Sequence, residues 1–461
     1  MNKTLQSIRS FLRKQQHLDG FPESIQKLKE EHRLFFEENG FPSSNDEAWQ
    51  ITGAKLPIDE EYHFLTEPES DEKHEFQCNI PNLDTIRLSL VNGFFSADKA
   101  ELLTTLPNGI ILGSLKEAIA QYPELVEKHL GSCLNERQNS FQALNMAMFT
   151  DGIFVYIPDN TMVEAPIQIL DIVKSEKQLF INSRNLIYVG KNSHLSLIHC
   201  DDSYNQQTSF SNIVTEILVD ENAQVEHYKM QSMNNSSALI SLSYATLGKN
   251  AKFVSSGINF NGGLIKNHIE TKFNNSGGET EIYGLYLMDK TQHIDNYVYI
   301  DHAQPDCTST ELFKGILDDT ATGVFNGHIY VDTVAKGTQA FQTNRNLLLT
   351  DKAKINSKPF LEIYNDDVKC SHGATIGQLD NEALFYLRSR GITERSAKTL
   401  LMYAFCDEIT SKIKIDSLRE RLNDMIKKRL RGELNVCEHC VLHCSTPEHN
   451  FQINLSDKSL I

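Results

Sequence analysis

Segments in the middle of the chain repeat one short pattern: GKNSHL at 190–195, DENAQV at 220–225 and GKNAKF at 248–253. In each segment, a small or charged turn leads into an alternating β-strand. Weaker copies are GGETEI at 277–282, DTATGV at 319–324 and TDKAKI at 350–355. The apolar residues that close the segments lie 30, 28, 29, 42 and 31 residues apart: Leu195, Val225, Phe253, Ile282, Val324 and Ile355.

This repeat predicts the fold class. A near-constant period with one insertion indicates similar coils stacked on one another. No helical pattern separates the strands, so the prediction is a mainly β protein with a β-solenoid or β-helix core. A two-sheet β-sandwich, whose strands also recur at regular spacing, is the alternative. Sandwich strands rarely repeat the same turn residues, which favours the solenoid.

The two ends of the chain are predicted to be helical. Residues 1–150 combine amphipathic segments with an acidic stretch at 59–76, which is expected to be a solvated linker. The β-helix core is assigned to 151–378 and a C-terminal helical region to 379–434. A tail that contains cysteine and histidine follows at 435–461.

Two amphipathic helices are expected in the C-terminal helical region. Thr393 is a candidate N-cap of the first, and Ser417 with Glu420 would form a capping box at the start of the second. Their apolar stripes either pack on the protein's own core, which is the safer interpretation, or form a docking face for another protein. The stripe residues considered for docking are Leu400, Leu401, Phe405, Leu418 and Leu422.

Composition and charge restrict the partners and the compartment. With 40% apolar and 23% charged residues, the 461-residue chain resembles an ordinary globular protein. The net charge of -17 disfavours nucleic acid and anionic membrane surfaces as partners. No apolar run is long enough to span a bilayer and no secretory signal is visible, so the expected compartment is the cytoplasm. The 9 cysteines are then expected to be thiols or metal ligands.

Common catalytic motifs are missing from the sequence. It contains no phosphate-binding loop, no G-x-S-x-G nucleophile elbow and no H-E-x-x-H zinc motif. The chain is therefore predicted not to hydrolyse nucleotides itself, and a non-enzymatic role is expected. A β-helical polysaccharide-active enzyme is the alternative, although such enzymes are usually secreted and no export signal is seen.

The segment VKCSH carries the most informative candidate ligands. On a strand, Cys370 and His372 point to the same face, about 6.6 Å apart along it. A thiolate and an imidazole suit iron or another thiophilic metal, and further ligands must come from another coil or another chain. Glu362, Asp366 and Asp367 are candidates to add oxygen ligands or to orient the imidazole. The alternative is a packed cysteine beside a histidine that is bonded to the backbone.

Several segments resemble a known family. KPFLEIYNDDVKCSHGATIG at 358–377, followed by FYLRSRGI at 385–392, resembles the SufD-type C-terminal signature of the SufB/SufD family of the SUF iron–sulfur cluster assembly system. GFPSSNDEAWQIT at 40–52, with its Trp49, resembles the SufD-type N-terminal pattern. GVFNGHIYVD at 323–332 fits the core pattern that SufB and SufD share. The stretch CSHGATIG separates SufD-type from SufB-type members.

This resemblance has specific implications. It implies a right-handed parallel β-helix flanked by helical regions, which pairs with a SufB-like paralogue as a heterodimer. It also implies that the C-terminal helices bind a SufC-like ABC-type ATPase, whose nucleotide-driven closure distorts the heterodimer and exposes the assembly site. The family's functional histidine at the subunit interface corresponds to His372, and Cys370 is carried over with it.

The resemblance also bears on cofactors and oligomeric state. It implies that iron or an iron–sulfur cluster is present transiently in the complex, while no cofactor is assigned to this chain alone. A flavin is a candidate ligand, and a homodimer is a candidate state of the isolated chain. A SufB-type scaffold subunit is the alternative within the family.

The tail departs from the resemblance. Its sequence CEHCVLHC at 437–444 has C-x-x-C and C-x-x-x-C spacings, which are typical of metal sites. An accessory zinc or iron site is the functional interpretation, with Cys437, Cys440, Cys444 and His439 as its ligands. A flexible tail with reactive thiols is the alternative.

Overall fold

The computed structural model describes residues 3–15, 20–69, 79–96, 101–134 and 139–432. Its helices are α1 (Lys3–Gln15), α2 (Glu23–Asn39), α3 (Leu115–Gln121), α4 (Pro123–His129), α5 (Ser140–Met148), α6 (Asn381–Ser389), α7 (Glu394–Thr410) and α8 (Asp416–Leu430). Among the described residues, no helix has both the length and the apolar character needed to cross a lipid bilayer.

Strands make up most of the remaining structure. The first ten are β1 (Ile86–Val91), β2 (Phe94–Ser96), β3 (Leu103–Thr105), β4 (Ile111–Ser114), β5 (Ile153–Ile157), β6 (Ile167–Val173), β7 (Leu179–Val189), β8 (His194–Ser203), β9 (Ser209–Val219) and β10 (Gln224–Ser232). The others are β11 (Ala238–Leu247), β12 (Lys252–Asn261), β13 (Leu264–Phe273), β14 (Glu279–Met288), β15 (His293–His302), β16 (Thr308–Leu317), β17 (Thr322–Val331), β18 (Gln339–Leu348), β19 (Lys354–Ile363) and β20 (Lys369–Gly377).

From β5 onward, the chain alternates between two sheets. Sheet 1 has the strand order β2-β1-β6-β8-β10-β12-β14-β16-β18-β20, and sheet 2 has the order β19-β17-β15-β13-β11-β9-β7-β5-β4-β3. Neighbouring strands are parallel from β6 to β20 in sheet 1 and from β5 to β19 in sheet 2. Two strands therefore form one coil, which confirms the predicted β-solenoid and excludes the sandwich alternative.

The register explains the irregular repeat spacing. Val225 pairs with both Leu195 and Phe253, so the first copies occupy equivalent positions in sheet 1. The expected insertion between Ile282 and Val324 is wrong, because Ile282 lies in β14 of sheet 1 and Val324 in β17 of sheet 2. The 42 residues between Ile282 and Val324 therefore span one and a half coils. The motif can recur after a half coil because similar turn residues precede the strands of both sheets.

An asparagine ladder stabilises one row of turns. Asn160, Asn192, Asn222 and Asn250 have φ values of 56°, 54°, 57° and 55°. The side-chain Nδ2 of each later residue donates to the Oδ1 of the preceding one, at 3.0, 3.0 and 3.2 Å. Asparagine tolerates left-handed backbone, and its amide both donates and accepts, so these turns favour it for two reasons.

The solenoid has an interior core and covered outer faces. The N-terminal helices α1 and α2 pack with α5 on the outer face of sheet 2, where Phe36 and Phe141 join a cluster with Phe210. Trp49 stacks on Phe141 with ring centroids 5.1 Å apart. Lys266 of β13 donates a hydrogen bond of 2.7 Å to the backbone oxygen of Ala48. The segment at 40–52 is thus attached to the solenoid.

The C-terminal helices α7 and α8 cover the outer face of sheet 1, where their apolar side chains form a cluster with those of the sheet. Lys414 Nζ lies 2.7 Å from Glu226 Oε1 in β10. Arg429 donates from Nε to the Phe260 backbone oxygen at 2.8 Å and from Nη1 to Asp289 Oδ2 at 2.7 Å. These polar contacts fix the helices to different coils.

Three local expectations differ from the structure. The strands β1 to β4 lie within 1–150, where mostly helix and loop are expected, and β1 extends sheet 1 by pairing with β6. Within the expected solvated linker, Tyr62 is buried because its ring packs near Phe180, while 70–78 lie outside the described residues. Ser417 does not cap α8, which begins one residue earlier, whereas Thr393 caps α7 as predicted.

Candidate functional site

The solenoid ends in two edge strands. In their sheets, β19 pairs with β17 and β20 pairs with β18, and each is the last strand of its sheet. We call β19 and β20 together the open end. Backbone groups along such an edge are available to pair with a strand of another chain.

Cys370 and His372 both lie on β20, as predicted, and face the interior side of sheet 1. They pair with Ala340 and Gln342 of β18, whose side chains are 0% and 1% exposed. Paired residues of parallel strands project to the same face. The imidazole of His372 is exposed, while Cys370 is half-buried beside a small apolar cluster that includes Ile329. His372 therefore stands at the mouth of the solenoid interior.

Polar side chains lie beneath this histidine. Gln342 Nε2 donates to Glu311 Oε2 of β16 at 3.0 Å, and both residues occupy the same interior column as His372. Burial raises the pKa of Glu311 to about 8. Burial also raises the pKa of the Cys370 thiol, which disfavours the thiolate that binds metals. Of the two side chains, His372 is the more accessible to a partner or an ion.

A glycine of the motif GVFNGHIYVD packs against Gln342, which lies beneath His372. A Cβ atom added at Gly327 would lie 1.9 Å from Gln342 Nε2, so a larger residue there would displace the amide of Gln342. Gly327 sits in β17, on the opposite wall of the solenoid from Gln342. Packing close to the open end therefore explains the glycine at this position of the motif.

The acidic residues expected near His372 do not complete a site. Glu362 belongs to β19, where its Oε2 lies 3.0 Å from His328 Nε2 and its Oε1 accepts from Tyr364 at 2.8 Å. That prediction is wrong because Glu362 is on the outer face of the other sheet. Asp367 instead lies 3.7 Å from Lys336 Nζ. Within the described ranges, no metal-binding group of three or more ligands includes His372.

Exposed apolar side chains surround the open end. They are Phe341, Phe360, Ile363, Tyr364 and Ile376, which are 39% to 56% exposed. Clustered exposure of large apolar residues is typical of surfaces that bind another protein. The geometry of the open end therefore fits a surface that binds a second protein chain.

The predicted docking residues divide into two groups. Leu418 and Leu422 are each 1% exposed and pack against sheet 1, so the prediction that they contact a partner is wrong. Phe405 and Leu401 are half-buried, whereas Leu400 is 42% exposed. An amphipathic stripe predicts burial but does not identify the covering surface.

Two aromatic residues of α6 are exposed as well. Phe385 is 73% exposed and Tyr386 is 57% exposed, and α6 has no buried residue. Their signal in the sequence is an aromatic pair that lies outside the half-buried apolar row of Ala383, Leu384 and Leu387 on a short helix. We call Phe385, Tyr386 and Leu400 the helix patch.

The candidate ligands of the tail, Cys437, Cys440, Cys444 and His439, lie outside the described residues. An accessory metal site there stays a prediction.

Comparisons with known proteins point to one family. Residues 1–169 match the description "SufBD protein N-terminal region", and 172–405 match "SUF system FeS cluster assembly, SufBD core domain". An iron–sulfur cluster assembly SufBD family protein of Synechocystis is 32% identical over 397 residues, which cover 84% of this chain and 87% of that protein. The iron–sulfur cluster assembly protein SufD of Escherichia coli is 25% identical over 433 residues, covering 90% and 99%. SufD of Bacillus subtilis is 24% identical over 330 residues, covering 70% and 74%.

Proposed function

Because the chain belongs to the SufBD family of iron–sulfur cluster assembly proteins, we propose that it acts as the SufD-type subunit of a SufBCD scaffold. The observation that carries this proposal is the exposed imidazole of His372 on a terminal strand. The SufD-type signature at 358–377 and the similarity to SufD of Escherichia coli over 99% of that protein support the proposal. We propose a non-enzymatic role, in place of the polysaccharide-active alternative.

In this proposal, a SufB-like paralogue docks on the open end. Free strand edges offer hydrogen bonds, and the exposed apolar side chains around them offer area to bury. Without the paralogue, the same surface would pair two copies of this chain. Iron and sulfide are the cargo, which the complex holds transiently as a nascent cluster.

The two chains would share the ligands of the assembly site. His372 supplies one imidazole, and thiolates of the paralogue supply the others, since His372 lacks enough neighbouring ligands among the described residues. Cys370 takes a secondary role because it is half-buried, whereas His372 is exposed. Flavin binding stays a prediction.

The direction of the backbone amides allows a selective test of docking. The Lys369 amide donates to the Thr338 oxygen at the start of β18. Alternate residues of a parallel strand bond to the same neighbour, so the amides of Cys370, His372 and Ala374 point away from β18, towards the free edge. A proline at Ala374 would remove an outward amide without breaking the internal ladder.

We expect Ala374→Pro to weaken binding of a co-expressed SufB-like partner about tenfold, the equivalent of ~1.4 kcal/mol or one lost hydrogen bond. Quantitative co-purification measures the binding, and thermal unfolding of the isolated chain should change little. Ala374→Ser, which keeps the amide, is the matched control and should bind normally. Equal partner recovery with the proline and serine variants would contradict strand pairing at this edge.

We further propose that the helix patch contributes to ATPase docking. Phe385 and Tyr386 are mostly exposed and belong to no buried cluster of the described residues, so a partner surface is the best explanation of their exposure.

Phe385→Glu is expected to reduce co-purification of a SufC-like ATPase at least about tenfold, because a charge replaces a buried aromatic anchor in the interface. Binding of the SufB-like partner and thermal stability should be unchanged. Leu34→Glu, at a 54% exposed apolar residue of α2, is the control for added charge. The docking assignment would be wrong if Phe385→Glu and Leu34→Glu recovered the ATPase equally.

A further inference from the structure

A second group of potential ligands lies inside the solenoid, apart from the open end. Asp171 of β6 pairs in register with Asp201 of β8, and His199 is two residues before Asp201 on the same inward face. Ligand atoms of the three residues all lie within 4.8 Å of one another. Asp171 is 3% exposed, Asp201 is 2% exposed and His199 is 0% exposed. We call them the Asp–His–Asp cluster.

Several polar atoms of this cluster have no hydrogen-bond partner. They are both ring nitrogens of His199 and the Oδ1 atom of Asp201. The closest approach between them, from His199 Nε2 to Asp201 Oδ1, is 3.3 Å. Leaving a buried polar group without a partner costs about 1–3 kcal/mol. A bound cation would satisfy an imidazole lone pair and a carboxylate oxygen at once.

The remaining atoms of the cluster are held by surrounding residues. Asp201 Oδ2 accepts from Gln231 Nε2 at 2.8 Å and lies 3.2 Å from Lys229 Nζ. Asp171 Oδ2 accepts from Ser183 Oγ at 3.4 Å. Ligands of protein-bound metals are commonly oriented by such outer hydrogen bonds. Lys229 balances the charge at Oδ2 and leaves Oδ1 available.

We propose that Asp171, His199 and Asp201 bind one divalent first-row transition metal ion inside the solenoid. One imidazole and two carboxylates suit Fe²⁺, Mn²⁺ or Zn²⁺. His227 is a candidate for an additional ligand, since the centroid of its ring lies 5.7 Å from that of His199 and both its nitrogens lack hydrogen-bond partners. The ion would link β6 to β8 and stabilise the first coils. This site goes beyond the proposed function and does not depend on His372.

Cobalt(II) is the probe for this site. The full chain is produced in Co²⁺-supplemented medium, with Cys437, Cys440 and Cys444 changed to serine so that the tail offers no thiolates. We expect about one cobalt per folded chain, with visible d–d bands and no thiolate charge-transfer band. Cobalt should also raise the temperature of thermal unfolding, because binding to the folded state alone stabilises it.

His199→Gln and Asp201→Asn, in the same serine background, should each lower the bound cobalt at least about tenfold. Glu311→Gln is the matched control, since it alters another buried carboxyl of the same interior and should keep the cobalt. Failure of the folded parent chain to bind cobalt would overturn the proposal without any variant. Equal cobalt and equal spectra in the parent and in His199→Gln would also overturn it, even if Asp201→Asn failed to fold.

Discussion

Replacing His372 by alanine is expected to lower cluster formation on the purified complex at least about tenfold, because loss of a metal ligand or of its support typically costs 10–100-fold. The side chain is exposed on the last strand of sheet 1 and makes no contribution to the interior core. Assembly of the complex should therefore persist. Anaerobic reconstitution with iron and sulfide, followed by cluster absorbance and iron analysis, measures the effect.

Two further variants separate a ligand role from a structural one. Ser371→Ala changes the adjacent residue, which points to the opposite face of β20, and should form clusters normally. His372→Cys keeps a group that binds iron and should retain part of the activity lost in His372→Ala. A His372→Ala complex that assembles and loads clusters like the parent would remove His372 from the proposed site.

The largest loss of stability is expected from Glu216→Ala, which breaks a fully buried ion pair. Arg184 donates to Glu216 Oε1 at 2.9 and 2.6 Å, and both side chains are 0% exposed. Glu216 also accepts from the Gly131 amide at 2.9 Å, so it ties the N-terminal region to sheet 2. Removing one partner leaves a buried charge, which should lower the free energy of unfolding by about 3–5 kcal/mol.

Denaturant unfolding can follow this change by circular dichroism and by the fluorescence of Trp49, the single tryptophan, which stacks on Phe141 near the same junction. Glu221→Ala is the matched control, because Glu221 forms a 3.5 Å ion pair with Lys191 that is exposed to solvent. That variant should change stability by less than about 1 kcal/mol. Similar losses in both variants would contradict the importance assigned to burial.

The architecture of the core could be predicted because the signal is local. Turn asparagines with positive φ recur in successive coils, and Asn192, Asn222 and Asn250 show this in the sequence. The hairpin of β1 and β2 does have a local signal, since Asn92 and Gly93 both have positive φ values at its two-residue turn. The pairing of β1 with β6, 81 residues away in register, has no such signal. Local pattern does not identify such long-range pairing.

The candidate site was predictable only in part. A two-residue spacing on a strand places Cys370 and His372 on one face, and the structure agrees. The Asp–His–Asp cluster needs the knowledge that Asp171 and Asp201, 30 residues apart, are neighbours across one coil. Leu418 and Leu422 are buried because sheet 1 covers α8. The apolar pattern of a single helix does not show whether its own protein or a partner will cover it.

The attachments of the C-terminal helices have a mechanical consequence. Lys414 is tied to Glu226 in β10, and Arg429 is tied to Asp289 beyond β14. A pull on these helices would therefore be shared among several coils, rather than borne by a single strand.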